Sequence, residues 1–213
     1  MINIRGLVFR YASGAVVFDG LDFDFTKGQK LGLEGANGAG KTTLFHIIMG
    51  LLRPDAGELA ILGKKRVHER DFDEVRRNIG FLFQDADDQL FCPTVIEDVA
   101  FGPLNLGKSH DEAERIAMNT LRSLGLSGYE SRITYQLSGG EKKLVSLATV
   151  LAMEPSALLL DEPTAGLDEK TTRRLVEVLN ERVGSFIVIS HDAQFLKETA
   201  TAVVRLEGGK IVC

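Results

Sequence analysis

The apolar residues of this chain change period as it proceeds, and the changes mark its elements. From residue 2 to 10 and from 15 to 25 they alternate in part (Ile2, Ile4, then Val17, Leu21, Phe23, Phe25), with Ser13-Gly14 between the two runs. A period of two broken by a turn signal predicts a pair of antiparallel strands. Beyond residue 29 the pattern becomes short apolar runs separated by stretches with the helical period. The runs predict strands at 30–34, 57–62, 79–83, 157–160, 185–189 and 202–207, and the stretches predict helices at 42–51, 94–104, 111–124, 140–153, 168–182 and 192–199. Such alternation predicts an α/β protein with a mostly parallel sheet covered by helices. The stretch 90–154 carries three helices and no convincing strand. It is expected to form a helical subdomain inserted into an α/β core made of 1–89 and 155–213, all within one domain.

Four of these strands lead directly into residues with chemistry. The run 31–34 enters Gly35-Ala36-Asn37-Gly38-Ala39-Gly40-Lys41-Thr42, and a helical pattern of Leu44, Ile47, Ile48 and Leu51 follows. Glycines at this spacing let successive N–H groups turn inward around an anion, and the next helix brings its positive dipole end to the same spot. Lys41 is placed to reach terminal phosphates, and Thr42 to ligate magnesium, with Thr43 beside it. Asp161 follows the apolar run 158–160, as a second magnesium anchor would, because a hard cation needs a carboxylate near the nucleotide's own oxygens. Glu162 beside it is the candidate to orient the attacking water or accept its proton. Gln84 follows Phe81-Leu82-Phe83, where it could reach metal or water and pass on nucleotide state, and His191 follows 186–189 as a candidate contact to the terminal phosphate. Ligands of open α/β sheets bind beyond the carboxyl ends of the strands, so four strand ends aim chemistry at one edge. Taken alone, an acidic pair, a glutamine or a histidine after a strand is usually a cap or a solvated side chain. The upstream phosphate loop reverses those odds. Histidines 46, 68 and 110 lack such placement and read as surface or packing residues.

Composition narrows the partners. A net charge of −5 with scattered basic residues leaves no nucleic-acid footprint. Cys92 and Cys213 have neither metal-ligand spacing nor a disulfide framework, which points to a reducing cytoplasm. The amino-terminal residues show no signal-peptide pattern, and the longest apolar runs fall far short of the roughly 18 residues that span a bilayer. If the protein acts at a membrane, another chain must cross it.

Leu137-Ser138-Gly139-Gly140-Glu141 opens a helix whose apolar face is Leu144, Leu147, Ala148 and Leu151. Ser138 and Glu141 form a capping box, the plain structural reading. Two glycines at a helix N-terminus also make an anion site, and a second phosphate reader points to a nucleotide shared between two subunits.

The order of phosphate loop, Gln84, Leu137 to Glu141, Leu158 to Pro163, Ala165-Gly166-Leu167-Asp168 and His191 closely resembles the ATP-binding cassette ATPases over nearly the whole chain. The resemblance implies ATP and magnesium as ligands. It implies a head-to-tail dimer in which Ser138 and Gly140 of one subunit meet the γ-phosphate on the Lys41 loop of the other, flanked by Gly139 and Glu141. It further implies that Asp168 stabilises that contact and that Tyr11 stacks on adenine. Within the family, Phe83 to Phe91 and the stretch 93–106 look like the cobalt-type ATPases of energy-coupling-factor importers, in which a groove around Gln89 to Phe91 receives helices of a membrane partner on its cytoplasmic face. Ala86 stands where that group usually has proline, and Glu141 where glutamine is frequent. The expected function is ATP hydrolysis powering import of a cobalt or nickel ion or a vitamin. The alternative is a soluble cassette ATPase uncoupled from transport.

Overall fold

The computed structural model describes residues 1–212, and Cys213 lies outside them. Strands β1 (Ile2–Arg10) and β2 (Val16–Phe25) pair antiparallel, and β4 (Ala56–Ile61) pairs antiparallel with the other edge of β1. A two-residue strand β5 (Lys64–Lys65) closes this four-stranded sheet. The run at 57–62 thus belongs with the amino-terminal strands and not with the parallel sheet. Its alternation explains why: Leu59 and Ile61 are buried while Glu58 is exposed, as in a sheet wetted on one face.

The second sheet has six strands in the order β10-β9-β3-β8-β7-β6. These are β3 (Lys30–Glu34), β6 (Ile79–Leu82), β7 (Ala157–Asp161), β8 (Phe186–Ile189), β9 (Ala202–Glu207) and β10 (Lys210–Val212), all parallel except β10. Among the described residues seven α-helices accompany them: α1 (Lys41–Ile48), α2 (Phe72–Asn78), α3 (Val95–Asn105), α4 (His110–Ser123), α5 (Gly139–Leu151), α6 (Glu169–Arg182) and α7 (Ala193–Thr199). Neither α2 nor β5 nor β10 is signalled by periodicity. The helix α2 buries only Phe72 and Val75, too few positions to define a face. Helix α1 ends at Ile48, three residues earlier than its apolar pattern; just beyond it Gly50 has a φ of 69°, and a Cβ there would fall 2.3 Å from the Phe72 ring.

Central strands are buried on both faces, which is why they read as unbroken apolar runs. Leu159 and Ile187 face a core shared with α1 and the antiparallel sheet, including Phe18, Phe25 and Phe45. Leu158, Leu160, Phe186 and Val188 face the other way, into a core shared with α3 to α7. The helical stretch therefore packs on the sheet without a separate core of its own. Register then places the strand ends level: Leu33 and Asp161 both pair with Ile189, and Leu160 with Leu82. The segments after β3, β6, β7 and β8 leave along one edge.

Candidate active site

The loop 35–40 is built so that only glycine fits at its pinch points. A Cβ on Gly40, whose φ is 101°, would lie 2.5 Å from Val17 Cγ1, and one on Gly35 would lie 2.5 Å from the Leu206 carbonyl oxygen. Gly40 caps α1, so the first N–H groups of that helix point into the loop. Lys41 turns back into the same space, where its Nζ donates to the carbonyls of Gly35 (2.7 Å) and Ala36 (3.1 Å). The ammonium is thus held on weak backbone acceptors that a phosphate would replace.

Thr42 Oγ1 donates to Asp161 Oδ2 at 2.6 Å. Asp161 is 1% exposed, and burial pushes its carboxyl above the ordinary range despite the Thr42 hydrogen bond and nearby cationic groups. A buried carboxylate with one hydroxyl partner is a set of hard oxygen donors suited to magnesium. Glu162 sits at φ 47°, a left-handed conformation that is uncommon outside glycine and that clusters at functional sites. Its Oε1 is buried without a hydrogen bond and lies 3.4 Å from His191 Nε2. Burial, with the Asp161 charge added, raises this carboxyl too, against the opposing charges of His191 and Lys41. His191 Nε2 in turn shares a hydrogen bond with Asn37 Oδ1 at 3.1 Å. Three strand ends, carrying the phosphate loop, Glu162 and His191, are therefore linked side chain to side chain.

Gln84 is exposed, and among the described residues its side chain has no hydrogen bond to Thr42, Asp161 or Glu162. Its backbone is engaged instead, by a residue not singled out from the sequence: the Lys143 Nζ donates to the carbonyls of Phe83 (3.1 Å) and Gln84 (2.6 Å). Lys143 lies four residues before Leu147 and so on the buried side of α5, a placement the helical period already contains. Tyr11 is half exposed, edge-on to Phe9 at 5.0 Å, and its hydroxyl is tied to Thr43 Oγ1 at 2.8 Å, so the ring stands next to the phosphate loop.

Ser138 caps α5 in a capping box with Glu141. The Glu141 carboxylate also accepts from Tyr129 Oη (2.6 Å) and Arg132 Nη1 (3.0 Å); the hydrogen bonds from Tyr129 and from the Ser138 N–H and hydroxyl, with a smaller share from the Arg132 charge, hold its carboxyl down to about 2. Asp168 caps α6 by accepting from the Thr171 N–H at 2.7 Å. Ser138, Gly139, Gly140, Glu141 and Asp168 line one open cleft of about 980 Å³, and none of residues 35–43 lines it. The amino-terminal end of α5 thus opens onto a different space from the loop 35–40.

The segment after Gln84 divides. Gln89 points inward, its amide bonded to the Ser146 carbonyl and Thr149 Oγ1, both at 2.8 Å, and Leu90 packs on the helical core. Phe91 is 66% exposed and meets Phe101, 45% exposed, edge-on at 4.8 Å. Both line an apolar groove of about 360 Å³ with Met49, Leu51, Phe83 and Met153. Among the described residues no helix is long and apolar enough to cross a membrane.

Residues 18–165 match the family model described as ABC transporter. The chain is 51% identical over 214 residues to a putative ABC transporter ATP-binding protein of Nitratidesulfovibrio vulgaris, covering 100% of this chain and 78% of the relative. It is 43% identical over 216 residues to the energy-coupling factor transporter ATP-binding protein EcfA of Methanothermobacter thermautotrophicus, covering 100% of this chain and 70% of that one. Among solved structures, cbiO1 from Clostridium perfringens, part of the ABC transporter complex cbiONQ, superposes with a TM-score of 0.86 at 33% identity, over 100% of this chain and 86% of its own. With its phosphate loop, its acidic pair and its Ser138-capped helix in the order of that family, the chain belongs to the ATP-hydrolysing subunits of ABC transporters.

Proposed function

We propose that this ATPase is the energy-supplying subunit of an importer for a small nutrient, a cobalt or nickel ion or a vitamin, and that it works as a head-to-tail dimer on the cytoplasmic face of the membrane. The observation that carries its chemistry is the Glu162 carboxylate, held in a left-handed turn with a buried oxygen free to accept a proton. In this reading the Lys41 ammonium leaves the Gly35 and Ala36 carbonyls for the terminal phosphates of ATP, while the N–H groups of the loop hold the rest of the chain of phosphates. Glu162 orients a water and takes its proton, and His191, braced by Asn37, contacts the terminal phosphate and keeps the carboxylate in place. Thr42 and Asp161, with Gln84, would hold magnesium, which supplies neutralising charge at the phosphate oxygens when bound.

A two-subunit site is supported by the separation of the phosphate loop from the cleft of Ser138, Gly139, Gly140 and Asp168: one chain offers each half facing its own space. Importer coupling is supported by the exposed Phe91 and Phe101 groove and by likeness to an energy-coupling factor protein.

Glu162→Gln tests the chemistry. It keeps shape and hydrogen bonding, so ATP affinity should stay near wild type while hydrolysis falls by roughly 10²–10⁴-fold, the range of general-base loss. A wild-type rate in steady-state phosphate release would move the basic role to another group.

A further inference from the structure

The buried ammonium of Lys143 stands at this edge and is not used by the chemistry above. It lies 5% exposed on α5, five residues beyond Ser138, close enough to Asp161, Asp85 and Glu162 to feel all three charges. Its acceptors are the carbonyls of Phe83 and Gln84, just past Leu82, the last residue of β6 paired with β7. The ammonium thus takes over where the strand ladder stops. Two more ties run from the same helix to the same loop: Lys142 Nζ to Asp87 at 2.5 Å, and Gln89, which joins the Phe83 N–H to the Ser146 carbonyl and Thr149. A loop fastened at three points to one helix moves with that helix, while the phosphate loop is fastened to β3 and α1.

We propose that Lys143 is a positioning residue for hydrolysis. By clamping the Phe83 and Gln84 carbonyls to α5, it makes the approach of the Gln84 side chain to Asp161 and Glu162 depend on where the Ser138-capped helix stands. Capture of the second subunit's nucleotide by Ser138 and Gly140 then draws Gln84 to its working position. The proposal rests on the two-subunit reading of the site.

Lys143→Met keeps the length of the side chain and removes its donors. In ATP titrations and initial-rate measurements on the whole chain, the variant should bind ATP within about twofold of wild type and lose about tenfold or more in kcat with little change in KM, since misplacing a catalytic group by about an ångström has effects of that order. Lys143→Arg, which keeps donors, should recover most of the rate. In a Gln84→Ala background, Lys143→Met should cost less than about twofold, because the group it positions is gone. A wild-type kcat, a loss of the same size without Gln84, or a parallel loss of ATP affinity would overturn the proposal. If the Met variant does not fold, Lys143→Leu, which likewise carries no donor, is read in the same cycle against the same outcomes. The underlying reading is checked separately in the Glu162→Gln chain with Lys143 intact: if ATP leaves it monomeric, the two-subunit reading falls and this proposal with it.

Discussion

Asp161 and Glu162 are neighbours in sequence with different tasks in the proposed reading, and burial is the first cause of the upward shift in both. A carboxyl raised in the fold contributes stability below its unfolded value, and that contribution is lost as pH rises through the folded value. At neutral pH the ionised Asp161 therefore opposes folding until a cation joins it. Asp161→Asn should melt a few degrees higher than wild type without nucleotide at pH 7.5, while losing magnesium-dependent hydrolysis; a lower melting temperature in calorimetry would contradict this account. For Glu162 the same direction governs rate. Only its ionised form accepts a proton, so the acid limb of the kcat–pH profile should lie above the ordinary glutamate value of about 4.3. Both residues were legible as a pair after an apolar run. That one would be strained and have an unpaired buried oxygen was not, because φ and burial are set by β8 and the phosphate loop, more than a hundred residues apart in sequence for the latter.

Elements place these residues, and their legibility differs by kind. The runs ending at Leu33, Leu82, Leu160 and Ile189 are visible because strands buried on both faces must be apolar throughout. The helix α5 is visible because Ser138 and Glu141 cap it and its apolar face keeps the helical period. The short β5, α2 and β10 carry too few buried positions for any period to emerge, and they form by pairing with or packing on what is already there. The segment around Phe91 shows the same limit. Its sequence marks Leu90 and Phe91 alike as apolar, yet Leu90 packs inward and Phe91 stands out beside Phe101. If these two rings are docking anchors, Phe91→Ser with Phe101→Ser should abolish recovery of the membrane partner in a pull-down and shift the melting temperature little, since exposed positions usually change stability by about 0.5 kcal/mol or less. A stable double variant that still recovers its partner would sink the docking assignment.

For the whole molecule the decisive geometry is that the phosphate loop and the Ser138 cleft do not face each other within one chain. A ligand bound only by the associated state drives association, so the Glu162→Gln chain should pass from monomer to dimer on adding ATP and magnesium, and Ser138→Arg in that background should block the passage. Light scattering at fixed protein concentration reads both, and a dimer indifferent to ATP would count against the shared site. The order of motifs, the strands of the parallel sheet other than β10, and the candidates for the reacting groups are legible in the sequence itself, because glycine spacing, strand-end carboxylates and helix caps are local devices whose chemistry follows from residue type. Tertiary structure alone decided that 57–62 joins the antiparallel sheet, that Leu90 turns in while Phe91 turns out, and that Lys143 reaches the Gln84 loop. Each of those is a contact across 50 or more residues or a choice of face. Such choices are settled only when competing elements have packed and the buried polar groups must find their partners.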